Sequence, residues 1–159
     1  MSTIHTHLTA GDKLGIQLPD TIIVHAMGEY IGNEHAVPFL ANHKPPLSAH
    51  SLVDSIGTNY RCRLDTEGAY HAAEYNVNSL GIEFLVPGVY KDYQSFLDAM
   101  KLDYVTEEAY QAGLAQIKDW LHNWPIKTIK RHSDVSPHRK ADPGAGFPWQ
   151  RLMSDIGMD

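Results

Sequence analysis

A histidine, a lysine and an aspartate lie close together in the segment Arg131 to Trp149, RHSDVSPHRKADPGAGFPW. Pro137, Pro143, Gly144 and Gly146 keep this segment from becoming a helix or a strand, so it reads as a loop. Neither helical nor strand periodicity can pair His132 with Asp142, but a loop that folds back can set them side by side as two metal ligands. Lys140 brings a fixed positive charge to the same point. That combination suits stabilisation of a developing oxyanion better than structural zinc binding. Taken alone, the loop also fits an ordinary polar surface turn, and the other chemically capable residues decide between the two.

His25 lies near the end of the β-branched run Thr21 to Met27, a place that suits either a satisfied core histidine or a ligand held rigidly at the mouth of a cleft. Glu83 interrupts the apolar run Leu80 to Val86. Burying a lone carboxylate there costs several kcal/mol unless it is paired or protonated, so Glu83 points to a polar cleft or, if the strand is at an edge, to solvent. His50 lies on a predicted strand as a core or cleft-wall residue. His5 and His7 form an H-x-H pair of the kind that supplies ligands in large barrel hydrolases, but such a barrel needs about 250 residues. A frayed terminal segment is the expectation for that pair.

These residues need a scaffold, and the chain is long enough to provide one. Its 159 residues fit a single domain with a core of its own, residues 1–20 reading as an N-terminal extension. Hydrophobic residues make up 43% and charged residues 20%, as in an ordinary folded protein. The net charge of -6 argues against nucleic acid or an anionic membrane as main partner. Lys127 to Lys140 is locally basic and suits an anionic substrate. Cys62 is the only cysteine, which excludes an internal disulfide; its alternation with charged neighbours makes it a packed inner-face residue. The first twenty residues lack a signal-peptide pattern and no stretch is long enough to span a bilayer, so synthesis in the cytoplasm is expected.

The predicted elements follow from apolar period and punctuation. A central strand over Thr21 to Met27 ends at Gly28, and a long connection follows with a short helix near His35 to Asn42. Leu47 to Asp54 and Asn59 to Asp65 alternate as a hairpin about Ser55 to Thr58. A strand over Leu80 to Val86 stops at Pro87-Gly88. Asp92 to Lys101 and Thr106 to Trp124 are helical, the second with Thr106 as N-cap and an apolar stripe that includes Trp120. Ile126 to Arg131 feeds the loop, and Phe147 to Met153 begins a terminal helix with Pro148 in its first turn.

In chain order, IIVH (Ile22 to His25), SAH (Ser48 to His50), YHAA (Tyr70 to Ala73), N-x-x-S-L-G-I-E (Asn76 to Glu83) and HSDVSPHRKADPG (His132 to Gly144) resemble the type 2 N-acetylmuramoyl-L-alanine amidases. That family includes phage lysozyme-type amidases and peptidoglycan recognition proteins. The resemblance runs from about residue 20 to the C-terminus, and its last motif is the most specific. It implies an α/β fold with a mixed central sheet flanked by helices on both sides. It further implies that His25, His132 and Asp142 hold one zinc ion per chain, leaving a fourth position for water. By the same resemblance Glu83 is the general acid/base, Lys140 stabilises the tetrahedral intermediate, and His50, His71 and Asn76 bind substrate along the cleft.

Phage and animal branches usually carry a cysteine as third ligand and a tyrosine before the hairpin histidine, where this chain has Asp142 and Ala49. It therefore resembles the bacterial recycling branch more closely, with a phage lysis enzyme released to the wall by another factor still open. The implied reaction is zinc-dependent hydrolysis of the amide between N-acetylmuramic acid and L-alanine in peptidoglycan or soluble muropeptides, by a monomer. The alternative is a non-catalytic peptidoglycan-binding module, against which the joint retention of His25, His132 and Asp142 counts.

Overall fold

The computed structural model describes residues 2–6 and 14–158. Seven strands form one mixed sheet: β1 (Ser2–His5), β2 (Thr21–Ile31), β3 (Glu34–His35), β4 (Ser51–Val53), β5 (Thr58–Arg61), β6 (Ser79–Tyr90) and β7 (Thr128–Arg131). Five helices accompany them: α1 (Ala36–Asn42), α2 (Tyr93–Met100), α3 (Glu107–Asn123), α4 (His132–Val135) and α5 (Trp149–Ile156). The strand order is β1-β5-β4-β6-β2-β3, with β7 also on β2. β2 runs parallel to β6 and β7, β4 runs parallel to β6, and β4 and β5 make the antiparallel hairpin foreseen from their alternation.

Strand alternation sorts the core into two layers. On one face Ile22, Val24, Ala26, Ile82 and Phe84 pack against α3 and α5, with Trp120 of α3 fully buried among them. On the other face Leu52, Leu85 and Cys62 pack against Ala36 and Leu40 of α1. The expected α/β architecture with helices on both faces is therefore present. α3 begins where Thr106 Oγ1 accepts from Ala109 N at 3.1 Å, a cap of the sort that stabilises by about 1 kcal/mol. Among the described residues no helix is long and apolar enough to cross a membrane.

Three expectations need correction. β2 and β6 do not stop at Gly28 and Pro87 but run on together to Ile31 and Tyr90. The pairing shifts between Gly28 and Tyr30, opposite Pro87 and Gly88, so the proline sits in a bulge where its missing N–H costs no ladder bond. The loop after β7 opens with a turn of helix, α4, whose start is held by Asp134 accepting from Arg131 N at 3.0 Å. His5 is not frayed: Ser2–His5 pairs in parallel with β5, although it is exposed. His7 lies outside the described residues.

Candidate active site

Register on three parallel strands aligns the site. His25 of β2 is the direct partner of Glu83 on β6, and Val24 pairs with Arg131, the last residue of β7. His132 follows at once and so arrives level with His25. The three side chains come to one line across the sheet, on the face opposite Val24 and Ala26, near the carboxyl end of β7 where open α/β sheets form their crevices.

The loop after α4 returns Asp142 to the same point. Ser133 N donates to the Asp142 carbonyl at 2.9 Å, closing the loop on itself. Tyr104 Oη donates to the Pro143 carbonyl at 2.8 Å, and Gly146 lies so close to Leu102 that a Cβ there would stand 1.7 Å from its carbonyl oxygen. Only glycine permits that approach. The Pro and Gly residues that suggested a loop thus pin it against the end of α2.

His25, His132 and Asp142 converge as expected. His25 Nδ1 is 2.9 Å from His132 Nδ1 and 3.4 Å from Asp142 Oδ2, and His132 Nδ1 is 3.0 Å from the same oxygen. All three residues are buried, and the three atoms are close enough together to hold one ion. Atoms each about 2.0–2.1 Å from a tetrahedral zinc stand about 3.3 Å apart, so the cluster has the dimensions that such an ion requires. Two imidazoles and one carboxylate also match the three-ligand donor sets of hydrolytic zinc sites.

Burial by itself would raise the Asp142 pKa, but the hydrogen bond from His132 and the closeness of both imidazoles hold the carboxyl well below the usual carboxylate range. Burial holds His25 below its ordinary value, outweighing the pull of the neighbouring Asp142 carboxylate. Both groups thus favour the deprotonated forms that bind metal.

Glu83 behaves oppositely. One carboxylate oxygen is 3.9 Å from His25 Nδ1, while the other is buried with no hydrogen-bond partner among the described residues. Burial first, and then repulsion from Asp142, push its pKa well up; Lys140 opposes them. Two carboxyls in one site with pKa values driven apart is the pattern that separates an acid/base from a ligand. Lys140 and Glu83 both line an open cleft of about 450 Å³. Its far wall is apolar and aromatic, with Phe39 from α1 and Tyr93 and Phe96 from α2.

His71 lines the cleft, but His50 and Asn76 do not. His50 is fully buried behind His71, with Nδ1 accepting from Gly81 N at 3.1 Å and Nε2 donating to the Glu67 carbonyl at 2.7 Å. Asn76 Oδ1 accepts from the backbone N–H groups of His71 and Ala72 at 2.9 and 2.8 Å, so its amide shapes the loop that carries His71. Ser79 and Gly81, unremarked as site residues in the sequence, sit against the His71 ring. The S-L-G spacing before Glu83 was their only signal.

Comparison with known proteins bears on the same residues. The family model for N-acetylmuramoyl-L-alanine amidase matches residues 16–145. The chain belongs to that family. Among individual amidases, N-acetylmuramoyl-L-alanine amidase AmiD of Escherichia coli (strain K12) is 28% identical over 123 residues, 67% of this chain and 43% of AmiD. The chain thus spans less than half the length of that curated relative. The amidase LysC from Clostridium intestinale URNW shares the fold with a TM-score of 0.77 at 20% identity, covering 100% of this chain and 99% of its own. AmiD from E. coli in complex with the substrate anhydro-N-acetylmuramic acid-L-Ala-D-gamma-Glu-L-Lys superposes with a TM-score of 0.70 at 23% identity, over 91% of this chain and 60% of that one.

Proposed function

We propose that the chain is a single-domain zinc amidase that hydrolyses the bond between N-acetylmuramic acid and L-alanine, in peptidoglycan or in muropeptides. The observation that carries this reading is the convergence of His25, His132 and Asp142 at an open cleft that Glu83 and Lys140 also line. Membership of the amidase family and the muropeptide bound by AmiD support the substrate class.

Zinc held by His25, His132 and Asp142 would supply an acidified water and polarise the scissile carbonyl. Glu83 takes the proton of the attacking water and returns it to the leaving amine; burial and repulsion from Asp142 raise its pKa, which favours its holding the proton between the two transfers. Lys140 faces the negative charge that develops on the carbonyl oxygen. The wall formed by Phe39, Tyr93 and Phe96 receives apolar faces of the substrate beside the scissile bond. Cys62 takes no part, because it is buried in the α1 layer and burial pushes its thiol up to about 11, far from a reactive thiolate.

Digestion of intact sacculi and of soluble muropeptides, followed by mass spectrometry, tests this reading. Products with a free lactyl carboxyl on the sugar and a free amine on L-alanine are expected. Cleavage at a glycosidic bond, or within the stem peptide alone, would overturn it. Preference between the two substrates separates a lytic role from a recycling one.

A further inference from the structure

His25 can offer Nδ1 to a metal ion only if its ring proton sits on Nε2, and the structure contains a chain of hydrogen bonds that sets this choice. The chain starts at the Tyr75 carbonyl, which can only accept. Ser79 Oγ lies 2.6 Å from it, so the serine proton is committed there. Ser79 Oγ then accepts from His71 Nε2, 3.0 Å away, which places the His71 proton on Nε2. A neutral imidazole has one proton, so His71 Nδ1 is a bare acceptor. It stands 2.8 Å from His25 Nε2, and His25 must donate to it. The His25 Nδ1 lone pair is thereby left facing His132 and Asp142.

We infer that His71, backed by Ser79 and the Tyr75 carbonyl, is a positioning residue that fixes the tautomer and aim of His25 rather than a substrate contact. The inference rests on the zinc reading above for its consequence, though not for its geometry. Its ring edge reaches the cleft, but both ring nitrogens are already occupied, one by a hydroxyl and one by an imidazole. Among the described residues no carboxylate stands at either nitrogen to hold a second proton.

The surroundings are built for that ring. A Cβ on Gly81 would lie 2.5 Å from His71 Nδ1 and 2.8 Å from Cε1, so any larger residue would push the ring away from His25. Asn76 fixes the loop on the other side through the His71 and Ala72 backbone N–H groups. The Y-H-A-A and N-x-x-S-L-G segments thus serve one purpose, which is to hold an acceptor behind a metal ligand. Outer hydrogen bonds of this kind typically change metal affinity by about 10- to 100-fold.

Two measurements test the inference. In metal-free protein, ring ¹⁵N NMR should show His25 and His71 both protonated at Nε2; a His25 protonated at Nδ1 would overturn the relay. Chelator competition should then show zinc binding weakened by about 10- to 100-fold in His71→Leu and weakened in Ser79→Ala. His71→Asn, whose amide oxygen can replace Nδ1 as acceptor, should recover most of the affinity. A folded His71→Leu that binds zinc like the parent, or His71→Asn no better than His71→Leu, would refute it. If His71→Leu fails to fold, Ser79→Ala and the tautomers of the unmodified protein still decide. Should the unmodified protein bind no zinc, the zinc reading fails while the tautomer result stands by itself.

Discussion

Lowering the pH from about 7 to about 4.5 is expected to destabilise the metal-free protein by about 2.5 kcal/mol through His50 alone. His50 is 0% exposed and neutral, with Gly81 N as donor to one nitrogen and the Glu67 carbonyl as acceptor from the other. A second proton would point at an N–H. Burial therefore holds its pKa down from 6.5 to about 4, against the raising effect of the Glu67 bond. Between these values the unfolded chain binds a proton that the folded chain refuses, so stability falls as pH falls through the window and changes no further well below it. At about 1.36 kcal/mol per unit the full effect is about 3 kcal/mol, most of it spent by pH of about 4.5. Urea unfolding of the parent and of His50→Asn across this range is the assay. The parent's stability advantage should shrink by about 2.5 kcal/mol on acidification. An advantage that stays constant with pH would show that His50 is not held neutral by the fold.

Other substitutions separate chemistry, metal binding and packing. Lys140→Ala should keep its zinc and lose turnover on the order of 10²-fold, as for removal of one oxyanion donor, read from steady-state kinetics beside metal analysis. Cys62→Ser should leave zinc content and activity nearly intact; loss of metal would mean that the third ligand is wrongly assigned. Asp65 accepts from the indole nitrogens of Trp120 and Trp124 at 3.0 and 3.1 Å and pairs with Arg61. Asp65→Ala should therefore cost about 2–4 kcal/mol of stability by chemical denaturation, because the Trp120 donor is left buried and unpaired.

How much of this was legible in the sequence differs from residue to residue. The strands bearing His25 and Glu83 were readable from β-branched and apolar runs, and the helix capped by Thr106 from its cap and stripe. Their length was not, because Gly28 and Pro87 look like stops when each strand is read alone. In the fold the two strands lie side by side, and the bulge absorbs the proline. The turn of α4 was missed because only four residues form it, too few to show a period.

The alignment of Glu83, His25 and His132 depends on register across three strands, which no local pattern encodes. His50 shows the same limit. Its place on a strand left it open as a core or cleft-wall residue, and the fold identifies His71 as the ring that stands in front of it. His71 itself was named for the cleft it lines, while the hydrogen bonds that occupy its nitrogens come from Ser79 and His25, residues 8 and 46 positions away.

The most direct test of the account measures zinc content and muropeptide turnover together in the parent and in Glu83→Gln. Glutamine keeps the size of Glu83 and removes its basicity, so the variant should hold one zinc per chain and turn over at least about 10²-fold more slowly. His25→Ala, His132→Ala and Asp142→Ala should instead lose zinc and activity together. Near-normal turnover in Glu83→Gln, or loss of its zinc, would contradict the assignment of Glu83 as the proton carrier beside a His25, His132 and Asp142 metal site.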